Sequence, residues 1–288
     1  ALTEVVNTEI VMGDAQAAVK RLETVLEKDP DNNAAHLMLG MVYVSMNEFA
    51  RAEEQFKQQI ELNSKNSVPY VQLAMARARQ GNMKAAEQAL KDGLEALPYN
   101  PRLINTLASL YAQQGDLESA ADTFQSGLSY APANAAFALG YTAILEKQNK
   151  FDEAIFTYER YMEKNPDNVL VINNLAVLLA DYRTDKASLQ KARDLTVRLS
   201  EYKQPAIMDT VGWVSYKLGE YDYAVAVLAE VVEMMPEVPI FNYHLGMAYY
   251  KRGDKVAAKE HLSKAIDEKY TYSGVEDARK VYKEIGGG

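Results

Sequence analysis

The chain has 288 residues, 48% of them hydrophobic and 25% charged, and no cysteine. Thiol catalysis, disulfide scaffolding and cysteine metal sites are therefore excluded. A formal net charge of −9 argues against a general nucleic-acid binder, and no apolar run approaches the roughly 20 residues of a membrane-spanning helix.

Taken in order, the chain opens with a shortened helix pair over 1–32, broken at Gly13. Proline stops then fall at Pro98, Pro132 and Pro166, 34 residues apart, and counting back by 34 reaches Ser64 and Pro30. This period predicts full helix pairs over 33–66, 67–100, 101–134, 135–168, 169–204, 205–238 and 239–272. A closing helix over 273–285 has a polar outer face that shields the last pair. Turn residues separate the two helices of a pair at Asn47, Gly81, Gly115, Asn149, Gly219 and Gly253. First helices carry a small residue where a second helix must cross closely: Gly40, Ala74, Ala108, Ala176, Gly212 and Gly246. Second helices carry an alanine and, four residues on, a large apolar residue: Leu22, Phe56, Leu90, Phe124, Tyr158, Leu228 and Leu262. That spacing puts both on one helical face.

Two departures stand out. FALGYTAIL places Gly140 two residues before the expected slot, which holds Thr142, and predicts looser or shifted packing there. The step from Ala176 to Gly212 is 36 residues, with a longer polar turn, which a helix–helix connection tolerates. Glycines 286–288 read as a frayed end.

LGMVY (Leu39–Tyr43) and LGMAY (Leu245–Tyr249) carry a Leu-Gly-x-x-Tyr core, and with the alanine, aromatic and proline positions the chain resembles the tetratricopeptide repeat. The resemblance implies an all-α fold: one array over 1–288, a right-handed superhelical solenoid of antiparallel helix pairs with a C-terminal capping helix and a concave groove lined mainly by first helices. Members that clamp a partner's terminal carboxylate use lysine and asparagine in successive first helices. The fifth residues here are Leu37, Val71, Asn105, Leu139, Asn173, Asp209 and Tyr243, so that subclass is not expected. VINNLAVLLADYR and DTVGWVSYKLGEYDYAV resemble bacterial envelope and exopolysaccharide-export repeat proteins. That likeness favours a periplasmic or membrane-associated bacterial setting over the cytoplasm.

No catalytic constellation, metal set or phosphate loop is legible. His36, His244 and His261 lie in different pairs and read as packing residues. No enzyme activity, cofactor or metal is expected. Family groove positions, carried over pair by pair, predict an apolar N-terminal lining of Leu37, Met41, Val44, Val71 and Met75. Methionine makes such a lining adaptable. The middle predicts a polar lining of Asn105, Thr106, Ser109, Gln113, Asn173 and Asn174, whose amides can bond an extended backbone. The last pairs predict Asp209, Trp213, Tyr216, Lys217, Tyr243, His244, Met247, Tyr250 and Lys251, which have the composition of an interaction hot spot. The leading reading is a scaffold that binds a protein or peptide in its groove. Two rivals stay open: polysaccharide binding by the aromatic C-terminal face, and self-association through the apolar first pairs.

Overall fold

The computed structural model describes residues 2–183, 185–267 and 272–287; Gly288 and the end of the seventh full pair, 268–271, lie outside them. The described residues form helices and turns with no strand. The first nine helices are α1 Leu2–Val11, α2 Ala15–Lys28, α3 Asn33–Ser45, α4 Phe49–Leu62, α5 Ser67–Arg79, α6 Met83–Ala96, α7 Pro101–Gln113, α8 Leu117–Tyr130 and α9 Ala135–Lys147. They make one compact unit, Ala1–Asn149. The second unit, Lys150–Gly288, holds α10 Phe151–Met162, α11 Val169–Tyr182, α12 Lys186–Val197, α13 Pro205–Lys217, α14 Tyr221–Met234, α15 Pro239–Arg252, α16 Lys255–Ala265 and α17 Val275–Glu284. The 34-residue period predicts one array over 1–288, and the division falls inside its fourth full pair, in the turn between α9 and α10.

The local chemistry that stops and starts these helices repeats. Asn32, Asn100, Asp116, Asn134, Asn168 and Asp254 cap helix starts, each side chain accepting from a backbone N–H two or three residues on. Every turn residue named from the sequence takes positive φ, from 58° at Asn149 to 98° at Gly253. Glycine enters this region freely and asparagine more readily than most residues. The stop is tied to the next helix by its fourth residue. Asn242 Nδ2 donates to the Pro236 carbonyl at 2.7 Å, and His36 Nε2 lies 2.7 Å from that of Pro30.

Packing follows the small-against-large pattern. Leu22, Phe56, Leu90, Leu228 and Leu262 are fully buried. A Cβ built on Gly40 would stand 2.5 Å from the Phe56 ring, on Gly212 2.6 Å from Leu228, and on Gly246 2.7 Å from Leu262. Only hydrogen fits there.

One expectation is narrowed and another corrected. Packing at Gly140 is shifted rather than looser: the Phe124 ring of the preceding second helix lies directly against it. Thr142 is fully buried, and its hydroxyl donates back to the Ala138 carbonyl at 2.8 Å. Gly286 and Gly287 are not a frayed end. Gly286 adopts φ 79°, its N–H donates to Lys283, and the Gly287 N–H donates to the Tyr282 carbonyl at 2.8 Å. This pattern is the Schellman closure of a helix C-terminus.

Gly212→Val should therefore lower stability by about 1–3 kcal/mol through overpacking. Urea unfolding followed by far-UV circular dichroism checks this, and an unchanged midpoint would show that the crossing has slack.

Candidate partner-binding faces

Each unit presents one face that the sequence assigns to a partner, and the two differ in what is already covering them. In the second unit, Trp213 is 4% exposed. Its indole N–H donates to Asp181 Oδ1 at 2.7 Å, and Lys217 Nζ approaches the same oxygen at 3.2 Å while standing 4.8 Å from the indole ring centre. The indole stacks on Tyr216 at 4.6 Å and on His244 at 4.0 Å. His244 Nδ1 lies 2.9 Å from both carboxylate oxygens of Asp209. Tyr243 packs at an angle to Trp213 and to Tyr272, with the backbone at Gly274 pressed against its ring. Ala278 and Val281 of α17 complete the cluster with Met247 and Leu262.

Asp209, Trp213, Tyr243, His244 and Met247 thus sit inside the unit, where the sequence predicts groove positions. The closing helix brings its apolar residues to this cluster, and the Trp213 indole, His244 and Asp209 have internal partners. Tyr216, Lys217 and Tyr250 stay half-exposed, with the Tyr250 hydroxyl donating to Glu284 at 2.5 Å. Asn174 is also committed: its amide donates to the Tyr158 hydroxyl at 3.2 Å. Asn173 contacts Asn174 at 3.5 Å, and its buried Oδ1 finds no hydrogen-bond donor among the described residues.

Burial pushes the Tyr216 phenol up to about 12, helped by nearby Tyr221 and Asp277, and the Tyr272 phenol up to about 12. Tyr243 is pushed higher still, first by burial and then by Asp277. Arg279 favours the ionised Tyr272 phenol but does not outweigh burial.

The first unit is open. Met41 and Met75 are 49% and 45% exposed, and Leu37 and Val44 are half-buried against the core. Val71 is a correction: it is buried in that core, since its side of α5 faces inward. Along α7, Asn105 and Thr106 are half-buried, Thr106 turning its hydroxyl to the Arg102 carbonyl at 2.7 Å. Ser109 and Gln113 are exposed and rim a cavity of about 360 Å³ between α7 and α9. Its walls are Ala108 and Ala112 on one helix and Gly140, Ala143 and Ile144 on the other, with Phe124 at the crossing and Lys147 at the rim. The arrangement is an apolar floor with a hydroxyl, an amide and a cation around it. It can bury a small side chain and bond the backbone that carries it. Phe124, Gly140 and Lys147 were not predicted as site residues; the displaced glycine was the signal for all three.

Among the described residues no group of three or more histidines and carboxylates stands where it could hold a metal, and no helix is long and apolar enough to cross a membrane.

Trp213→Ala should cost about 3–5 kcal/mol, as a large buried aromatic does. Asp181→Ala should shift emission of the single tryptophan to the red; unchanged unfolding and emission would place the indole at the surface. Tyr216, Tyr243 and Tyr272 should stay un-ionised at pH 10, where free tyrosine titrates. Because the folded state then binds more protons than the unfolded one, stability should fall as pH rises through the interval from about 10 to 12. Absorbance titration at 295 nm, with circular dichroism in parallel, reads both.

Comparison with known proteins agrees with this architecture. The cytochrome c-type biogenesis protein H TPR-domain model matches residues 12–138, and two tetratricopeptide-repeat models match residues 111–178 and 212–272. TPR repeat-containing protein MJ1428 of Methanocaldococcus jannaschii is 29% identical over 90 residues, covering 31% of this chain and 16% of its own length. A chain of the APC/C hetero-tetramer Cut9–Hcn1 superposes with a TM-score of 0.59 at 13% identity, over 99% of this chain and 55% of that one. Yeast Tom70 superposes with a TM-score of 0.54 at 16% identity, over 95% of this chain and 59% of its own. These likenesses in structure concern the fold alone. With the 34-residue period, the small–large crossings and three matching repeat models, the chain is a tetratricopeptide-repeat protein.

Proposed function

We propose that this protein is a non-catalytic scaffold that holds an extended segment of a partner protein across the first helices of its N-terminal unit, centred on the α7–α9 cleft. The observation that carries this reading is the cleft itself. It has Phe124 and Gly140 at its floor and Ser109, Gln113 and Lys147 at its rim. Asn105 lies one turn from Ser109 on the same helix, and Met75 lies on the neighbouring first helix, so a bound chain would meet amide and thioether groups beyond the cleft. Polysaccharide binding by the aromatic C-terminal face loses its support, because Trp213 and Tyr243 offer no open ring face for a sugar to stack on.

A bacterial periplasmic or membrane-associated setting belongs to this proposal. Its support is the match of residues 12–138 to a domain of a cytochrome c biogenesis protein, a role in assembly. Polysaccharide export stays outside it. Self-association through Met41 and Met75 is the competing use of the same face.

Panning a peptide library on the purified chain tests the reading. Selected peptides should lose at least about tenfold in affinity, or about 1.4 kcal/mol, with the pair Ser109→Arg and Ala143→Arg, which blocks the cleft without touching buried side chains. Peptides that bind this variant unchanged would refute the assignment. Sedimentation showing a dimer that the same variant dissolves would assign the face to self-association instead.

A further inference from the structure

A second binding site follows from one position of the repeat, the eleventh residue of each full pair. In six of the seven pairs this residue is large: Tyr43, Arg77, Tyr111, Leu145, Leu179 and Tyr249. Three of these reach the second helix of the preceding pair and end on a carboxylate there. The Tyr43 hydroxyl donates to Glu23 at 3.0 Å, Arg77 Nε to Glu53 at 3.2 Å, and the Tyr111 hydroxyl to Glu87 at 2.9 Å. The side chain thus fills the wedge between two successive second helices and the first helix between them.

In the sixth pair the eleventh residue is Ser215, and the wedge between α12, α13 and α14 is a cavity of about 590 Å³. Ser215 is 6% exposed and lines it together with Val211, Thr196, Val197 and Tyr221. The acceptor has changed as well. Glu53 and Glu87 each directly follow the buried alanine of their helix, Ala52 and Ala86; after the corresponding Ala192 stands Arg193. Arg193 lines the cavity and pairs with Glu220. The mouth is uncovered: Val197 is 63% and Tyr223 53% exposed, with Ser200 and Asp222 exposed beside them.

We propose that this wedge receives a tyrosine side chain from a partner protein, entering where the other pairs supply their own. The ring lies against Val197, Val211 and Tyr221. The phenol oxygen meets Arg193, which can only donate, so it acts as an acceptor where Tyr43 and Tyr111 act as donors to carboxylates. A tyrosine suits the site on two counts: its ring fits a wedge shaped for the eleventh residue, and its hydroxyl can accept as well as donate. Thr196 is already committed to the Arg193 carbonyl at 2.8 Å and Ser200 to the Val197 carbonyl at 2.8 Å. Ser215, Arg193 and the carboxylates of Glu220 and Asp222 are therefore the polar groups that line the site, and a phenol that accepts from Arg193 can donate to one of the carboxylates. This site lies in the second unit and is independent of the α7–α9 cleft.

The test uses the full chain and p-cresol, the tyrosine side chain as a free molecule, with toluene as comparator. Amide nitrogen–proton NMR should show saturable shifts at Val211, Ser215 and Tyr221. p-Cresol should bind about two- to tenfold tighter than toluene, the span of one net hydrogen bond. Ser215→Tyr should abolish the shifts, with tryptophan emission reporting that the unit is folded. If that variant fails to fold, Arg193→Ala decides: it should erase the preference for p-cresol while keeping toluene binding. No saturable shift, equal binding of the two probes, or shifts that persist in folded Ser215→Tyr would each overturn the proposal. The pair Ser109→Arg and Ala143→Arg should leave p-cresol binding unchanged, which separates failure of this site from failure of the cleft.

Discussion

The fold depends on one steric constraint: at Gly40, Gly212 and Gly246, a small residue of the first helix lies beneath a large side chain of the second helix of its pair. A single helix pair cannot bury its apolar face alone, so its stability comes from close stacking on neighbours. Close approach is available only where a Cβ is small or missing, and the gaps above Gly40, Gly212 and Gly246 are too narrow for a methyl group. Dispersion falls off steeply with separation, so even a sub-ångström opening at these crossings forfeits much of the contact. The turn residues and helix caps serve this geometry. They return the chain at the right point for the next small residue to meet the next large one.

This constraint explains why the fold was legible in the sequence and the site was only partly so. Period, turns, crossings and the closing helix are all local patterns, and each left a residue type at a fixed spacing. Burial of Trp213 is not local. Asp181, which binds its indole, lies 32 residues earlier, and the helix carrying Ala278 and Val281 lies more than 60 residues later. A family position rule places Trp213, Tyr243 and Asp209 on a groove face. It takes no account of a closing helix whose apolar side reaches the same cluster. In the first unit, Ser109 and Gln113 are exposed as the rule predicts, and Met41 and Met75 likewise.

Buried aromatic and ionisable groups in the second unit further show what a composition argument misses. Trp, Tyr, Lys and His within a short span describe a hot spot and a well-satisfied interior equally well. What separates them is hydrogen-bond accounting. The indole N–H has Asp181, His244 has Asp209 and Tyr250 has Glu284, so these groups have internal partners already. The unpartnered carbonyl oxygen of Asn173 and the open Ser215 wedge are the places where that accounting does not close.

Both open sites arise where the repeat departs from its own rule. Gly140 stands two residues early, so Phe124 packs against it from the preceding pair and a cleft opens between α7 and α9. Ser215 stands where its counterparts are large, and a wedge opens between α12 and α14. A repeat that obeys every position fills its own space and has nothing to offer a ligand except its outer surface. A departure that removed volume without creating a cavity would leave only a cost, since a void lined by apolar groups destabilises in proportion to its size. Here the voids open to solvent and carry polar groups at their edges, Ser109, Gln113 and Lys147 at one and Ser215 and Arg193 at the other. In an array whose stability is a sum over neighbouring pairs, such local losses stay local. That independence lets one pair give up packing for recognition while the others hold the fold.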